Sequence, residues 1–183
     1  MITFDVRSVS LETEPCRIFL RHWSELPKTG LIPHSRAFLD AAPAALMPYV
    51  MIQELMPEGL LVRFYGTGLE KRWQHDLTGR FFAEHYPQPA RERLRSNVSH
   101  LVSHPCGMHQ MNGSTSSAGR KMLSELVVLP LAVDAGRPHR VVGFSQPMET
   151  LNVHEHGAQF VQTAVCEWFG IGDGTPTEPP HKG

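Results

Sequence analysis

One stretch constrains this chain most, a strand-like run that stops at a glycine pair and gives way to short helical pieces. It is LLVRFYGTGLEKRWQHDLTGRFFAEHY, Leu60 to Tyr86. Leu60, Val62 and Phe64 alternate with Leu61, Arg63 and Tyr65, as a pleated strand requires. Gly66 and Gly68 allow the backbone to turn sharply. LEKRWQ spans one or two helical turns, and Thr78 is placed to cap another short helix, GRFFAEH, before Pro87. Such an arrangement can cover one face of a sheet and leave room beneath it.

The flanking sequence supplies the sheet. A helix starting at Pro15 places Ile18, Phe19, His22, Trp23 and Leu26 on one face and ends at Pro27 and Gly30. LIPHSRAFLDAAPAAL is expected to be a loop with a short helix after Asp40 as its N-cap. MPYVMIQEL, 47–55, predicts a strand, MPEG a turn and 60–66 its hairpin partner. The clearest helix runs from Ala90 to His104, with Leu94, Val98, Leu101 and Val102 as its apolar stripe, and Pro105 ends it. Further strands are expected near 106–113, 121–133 and 138–146, with TSSAG as a hairpin tip. Pro130 implies an edge, a bulge or an end. Val161 to Ile171 fits a helix or a strand, and its second half favours a strand. No internal repeat is visible.

The bulk properties narrow the class. A chain of 183 residues suits one domain with a real core. Residues 1–13 form an N-terminal extension, 14–172 the domain, and 173–183 a Pro- and Gly-rich tail expected to be disordered. A formal net charge of -1 argues against a general nucleic-acid or membrane footprint. MITFDVRSVS lacks the regions of a signal peptide, and LVVLPLAV is too short to span a bilayer. Three widely spaced cysteines, Cys16, Cys106 and Cys166, suggest reduced thiols in a cytoplasmic protein.

The order of elements resembles the PAS sensor fold, in particular a stand-alone bacterial subfamily. The residues that carry the resemblance are VRFYGTGLEKRWQHDLTGRFFAEHY, Trp23 in the leading helix, and FLDAAPAALMPYV before the first strand. ELVVLPLAV, VVGFSQP and EWFGIGDGTP continue it, so that it covers residues 14–176. It implies an α+β fold: a five-stranded antiparallel sheet with helices over one face and an N-terminal flanking helix. It also implies a sensory or regulatory module without enzymatic activity, acting through a signalling protein partner. A small ligand between sheet and helices is one expectation. An interior packed solid by Phe64, Trp73, Phe81 and Phe82 is the other. The ligand-binding residues expected are Tyr65, Trp73, Phe82, Leu94, Val98 and Leu101, with Arg63 or His100 as polar anchor. The cofactor is left unknown. The exposed-looking Phe19 and Trp23 suggest packing of the leading helix on the outer sheet face or on a second copy, as a homodimer.

The chain also offers candidates for other chemistry. SHLVSHPCGMH places His100, His104, Cys106 and His109 close enough in sequence for a zinc site, and so for a small metal-dependent enzyme. A histidine near a helix C-terminus is equally explained by the helix dipole. His100 is also where some PAS relatives hold haem. Light-sensing relatives bond a flavin through a cysteine among the short helices, and LEKRWQHDLTGR has none. VHEH, 153–156, fits a solvated loop. GSTSSAG lacks the geometry of a nucleophile elbow, and GTG is too short for a nucleotide-binding loop. A structural adaptor with a solid core is the remaining alternative.

Overall fold

A computed structural model describes residues 9–28, 30–84, 86–116, 119–148 and 158–182. The elements are α1 (Glu14–Glu25), α2 (Ser35–Ala41), a 3-10 turn (Met47–Tyr49), β1 (Val50–Met56), β2 (Gly59–Tyr65), α3 (Thr67–Trp73) and α4 (Gln88–Ser103). They are followed by β3 (Cys106–Ser116), β4 (Lys121–Leu131), β5 (Arg140–Pro147) and β6 (Ala158–Gly170). The strands form one antiparallel sheet in the order β2-β1-β5-β4-β3-β6.

Six strands stand where five were expected. The ambiguous segment is a strand from Ala158 to Gly170, because the outer edge of β3 offers it a ladder from Cys106↔Gly170 to Ser116↔Ala158, with register shifts at Met111/Asn112 and Gly113/Ser114. Pro130 lies inside the sheet but near the end of β4, beyond the last β3 partner at Val128, so its missing N–H breaks no β3 ladder bond.

Both faces of the sheet are covered. On the outer face α1 is capped by Thr13, whose side chain accepts from the Cys16 N–H. Phe19 and Trp23 are fully buried against this chain's own strands, with Val50, Ile52, Val127, Leu129 and Phe144. Each aromatic ring removes about 150–250 Å² from water, about 4–6 kcal/mol at ~25 cal/mol per Å². The Phe19 ring stacks on Phe144 at 5.1 Å, and Trp23 Nε1 donates to the Pro130 carbonyl at 3.1 Å. The packing is intramolecular, so the expectation of a homodimer loses the apolar surface that motivated it.

Three local expectations are corrected. The short helix contains Asp40 rather than starting after it: His34 caps α2, and Ala42, extended before Pro43, ends it. Residues 79–84, the described part of GRFFAEH, are not a helix. They lie along the free edge of β2, where Phe82 N–H donates to Leu60 O, Val62 N–H to Arg80 O, and Leu61 bridges Phe81. Thr78 caps nothing; its N–H bonds to Asp76 Oδ1 in a side-chain turn. Gly66 has an ordinary negative φ, and its glycine is required by space: a Cβ there would collide with the Met47 and Pro48 carbonyls.

The tail expected to be disordered has no helix or strand over 173–182, yet it is tied down. Asn97 bonds both ways to the His181 backbone, at 2.8 and 2.9 Å, and Trp168 Nε1 donates to Glu178 O at 2.9 Å. VHEH, 153–156, and residues 117–118 of TSSAG lie outside the described residues.

Candidate functional site

On the inner face the helices do not close on the sheet. A cavity of about 580 Å³ separates them. Its floor is built by the inward positions of the strands: Met51 and Gln53 of β1, Ser124, Leu126 and Val128 of β4, and Gly143 and Ser145 of β5. Met108, Gln110 and Asn112 of β3 and Thr163 of β6 extend it. Its roof comes from Leu69 and Trp73 of α3, the turn segment around Phe81 and Phe82, and Ala90, Leu94, Asn97 and Val98 of α4.

A β-bulge shapes one wall. Ile52 pairs with Phe64 but Gln53 pairs with Val62, so Arg63 is an extra residue without a partner across the ladder. The bulge reverses the alternation of β2. Leu60 and Tyr65, on opposite faces of a regular strand, both line the cavity, while Phe64 packs with the outer core. Arg63 is turned away and bonds Glu54 Oε2 at 2.6 Å. Arg140 holds the other oxygen of that carboxylate at 2.6 and 2.8 Å.

The polar groups on the cavity floor are amides and hydroxyls, while His75 and Glu84 belong to the rest of its lining. Asn112 Oδ1 accepts from Thr163 Oγ1 at 3.0 Å. Among the described residues Gln110 Nε2 donates to sulfur, to Cys166 at 3.2 Å and Met108 at 3.7 Å, both weak acceptors. Gln53 is buried and its Nε2 has no hydrogen-bond partner. Leaving such a donor dry costs about 1–3 kcal/mol. Burial pushes the phenols of Tyr65 and Tyr86 up, so both stay neutral at ordinary pH.

The structure therefore brings five of the eight expected residues together: Tyr65, Trp73, Phe82, Leu94 and Val98 line the cavity. Arg63, His100 and Leu101 do not. Leu101 is sealed in the core beneath α4, and His100 sits edge-on to the Trp168 ring at 6.5 Å. With His100 outside the cavity, the haem position has no support from geometry. The sequence reading missed the floor altogether. Its inward residues, Gln53, Gln110, Asn112 and Ser124, are polar at positions where strand alternation demands burial, and that was the available signal.

The zinc alternative does not assemble. Cys106 faces the inner core and burial pushes its thiol up to about 12. His109 is on the outer face, its two ring nitrogens 3.0 Å from Glu125 and Glu167. Among the described residues, no group of three or more histidine, cysteine, aspartate or glutamate side chains is arranged to hold a metal ion. Glu125 serves the outer core instead. Burial would raise its carboxyl, but the Thr13 hydroxyl and the Glu12 and Thr13 N–H groups hold it below the usual range.

The sequence profile of the PAS domain family matches residues 11–146. Among solved structures, an RNA-binding light-oxygen-voltage receptor is similar at 16% identity, with 67% of this chain and 37% of that chain covered and a TM-score of 0.43. A fungal light-oxygen-voltage photoreceptor is similar at 16% identity, covering 74% of this chain and 92% of that one, TM-score 0.40. This chain thus spans 37% of the length of the first. No curated protein matches it. Among the described residues no helix is long and apolar enough to cross a membrane.

Proposed function

The chain belongs to the PAS domain family, and from that premise we propose that it is a sensory module whose inner-face cavity binds a small, largely apolar molecule. The observation that carries this reading is the cavity itself. About 580 Å³ lies within the ~300–1,000 Å³ usual for small-molecule sites. A solid-cored adaptor would have filled that volume. The aromatic groups Tyr65, Trp73 and Phe82 supply contact area, and the amides fix orientation. Occupancy would be reported to a partner protein through the elements that form the roof.

Native mass spectrometry of the full chain tests the reading. A retained small molecule is expected, and Ser145→Phe, which fills the floor from β5, is expected to exclude it while the circular dichroism spectrum is kept. Protein that carries no molecule, and whose melting temperature Ser145→Phe raises by closing a void, would leave the cavity as a packing defect.

A further inference from the structure

Arg72 of α3 is 3% exposed, a full positive charge inside the domain. Its Nη2 donates to Ser114 Oγ at 3.2 Å, while Nε and Nη1 have no hydrogen-bond partner. Among the described residues no salt bridge involves it. Burial pushes the phenol of the nearby Tyr65 up, so it carries no charge to balance the guanidinium, and burial lowers the proton affinity of Arg72 without neutralising it. The Trp73 ring lies 5.2 Å from its centre, but a ring quadrupole offsets only a small part of the desolvation of an ion.

Its place is the end of the cavity. Leu69 and Trp73 on the same helix line the cavity, as does Tyr65 beside it, and Ser114 lies two residues beyond Asn112 of the floor. Arg72 itself is not part of the lining; the Trp73 ring stands next to it. The geometry points to Arg72 as the anchor for an acidic head group: the cavity takes an amphiphilic monocarboxylate, with its apolar body between Leu94 and Phe82 and its carboxylate on the guanidinium, past the Trp73 ring. No lysine or arginine lines the cavity among the described residues, so Arg72, beside the lining, is the one arginine placed to meet a single negative charge at this end, and Glu84 of the lining disfavours a ligand with more than one. A phosphate dianion would remain half unpaired. This inference rests on the cavity being a ligand site.

The test titrates the full chain with decanoate and decanamide, matched in their apolar tail, by calorimetry. Wild type is expected to bind decanoate about tenfold or more tightly than decanamide, the worth of a charge-assisted hydrogen bond. Arg72→Gln is expected to erase that ratio, and Arg72→Lys to restore part of it. Unliganded Arg72→Gln is expected to melt at or above the wild-type temperature, because an unpaired buried charge is removed; an arginine with a purely structural role would give a lower one. Equal binding of both probes by wild type and Arg72→Gln overturns the carboxylate assignment and leaves the ligand cavity standing. Binding of neither probe by folded wild type removes both. If Arg72→Gln does not fold, the wild-type ratio and Arg72→Lys decide.

Discussion

The two faces of the sheet differ in what fills them. On the outer face, Phe19, Trp23, Phe38 and Phe144 interlock, and buried carboxylates have full sets of partners. On the inner face, aromatic and amide groups surround a cavity, and among the described residues Gln53 Nε2 has no hydrogen-bond partner and the buried Arg72 no counter-charge. The same strands build both, since successive residues point to opposite sides. Stability is concentrated where packing is complete. Binding capacity is concentrated where it is not.

The largest test of that contrast is Trp23→Ala. It empties a filled core and strands the Pro130 carbonyl, so a loss of about 3–5 kcal/mol is expected in urea unfolding. Acid should act next, and through the same face. Burial would raise the Glu54 carboxyl, but hydrogen bonds from Arg140 and Arg63 outweigh it and hold the group below its ordinary value of 4.5. The folded value is the depressed one. The stabilisation is therefore complete above pH 4.5 and is lost as pH falls below it toward the folded value. Glu54→Gln should flatten that acid limb in pH-dependent melting; an unchanged slope would show that other groups control it.

Two glycines sharpen the comparison residue by residue. A Cβ on Gly107 would lie inside the Phe169 ring on the outer face, and Gly107→Ala is expected to cost about 1–3 kcal/mol as an overpacked site. Leu94→Ala, in the cavity roof, should cost less than a core leucine usually does, about 1–2 kcal/mol, since its neighbours already border space. Gly143→Ala should change stability least, within about 0.5 kcal/mol, because its Cβ meets Leu126 at an ordinary 3.5 Å. Equal costs at Gly107 and Gly143 would mean that the faces are packed alike.

Much of this was legible in the chain. Strand alternation located β1 to β5, and the stripe of Leu94, Val98 and Leu101 located α4. The roof of the site was legible too, because Tyr65, Trp73 and Phe82 are large aromatics in a segment of turns. The floor was not. Its residues come from strands far apart in sequence, and nothing local states which strands become neighbours. Arg63 illustrates the same limit: as one letter in an alternating run it belongs with Leu61 and Tyr65, and only the bulge against Ile52 and Gln53 turns it out to Glu54.

The sequence by itself therefore determined the kind of elements and their order, because periodicity, prolines and glycines act over a few residues. It also determined that the leading helix must bury Phe19 and Trp23 somewhere. Tertiary structure decided where: on this chain's own outer sheet face, held by Thr13 and Glu125 across 112 residues of sequence. It also decided that GRFFAEH pairs with an edge strand instead of coiling, since the open hydrogen-bonding edge of β2 outweighs a weak helical propensity. And it decided that the inner face holds a cavity, because the volume left between a sheet and its helices is set by how the elements dock and not by any one of them.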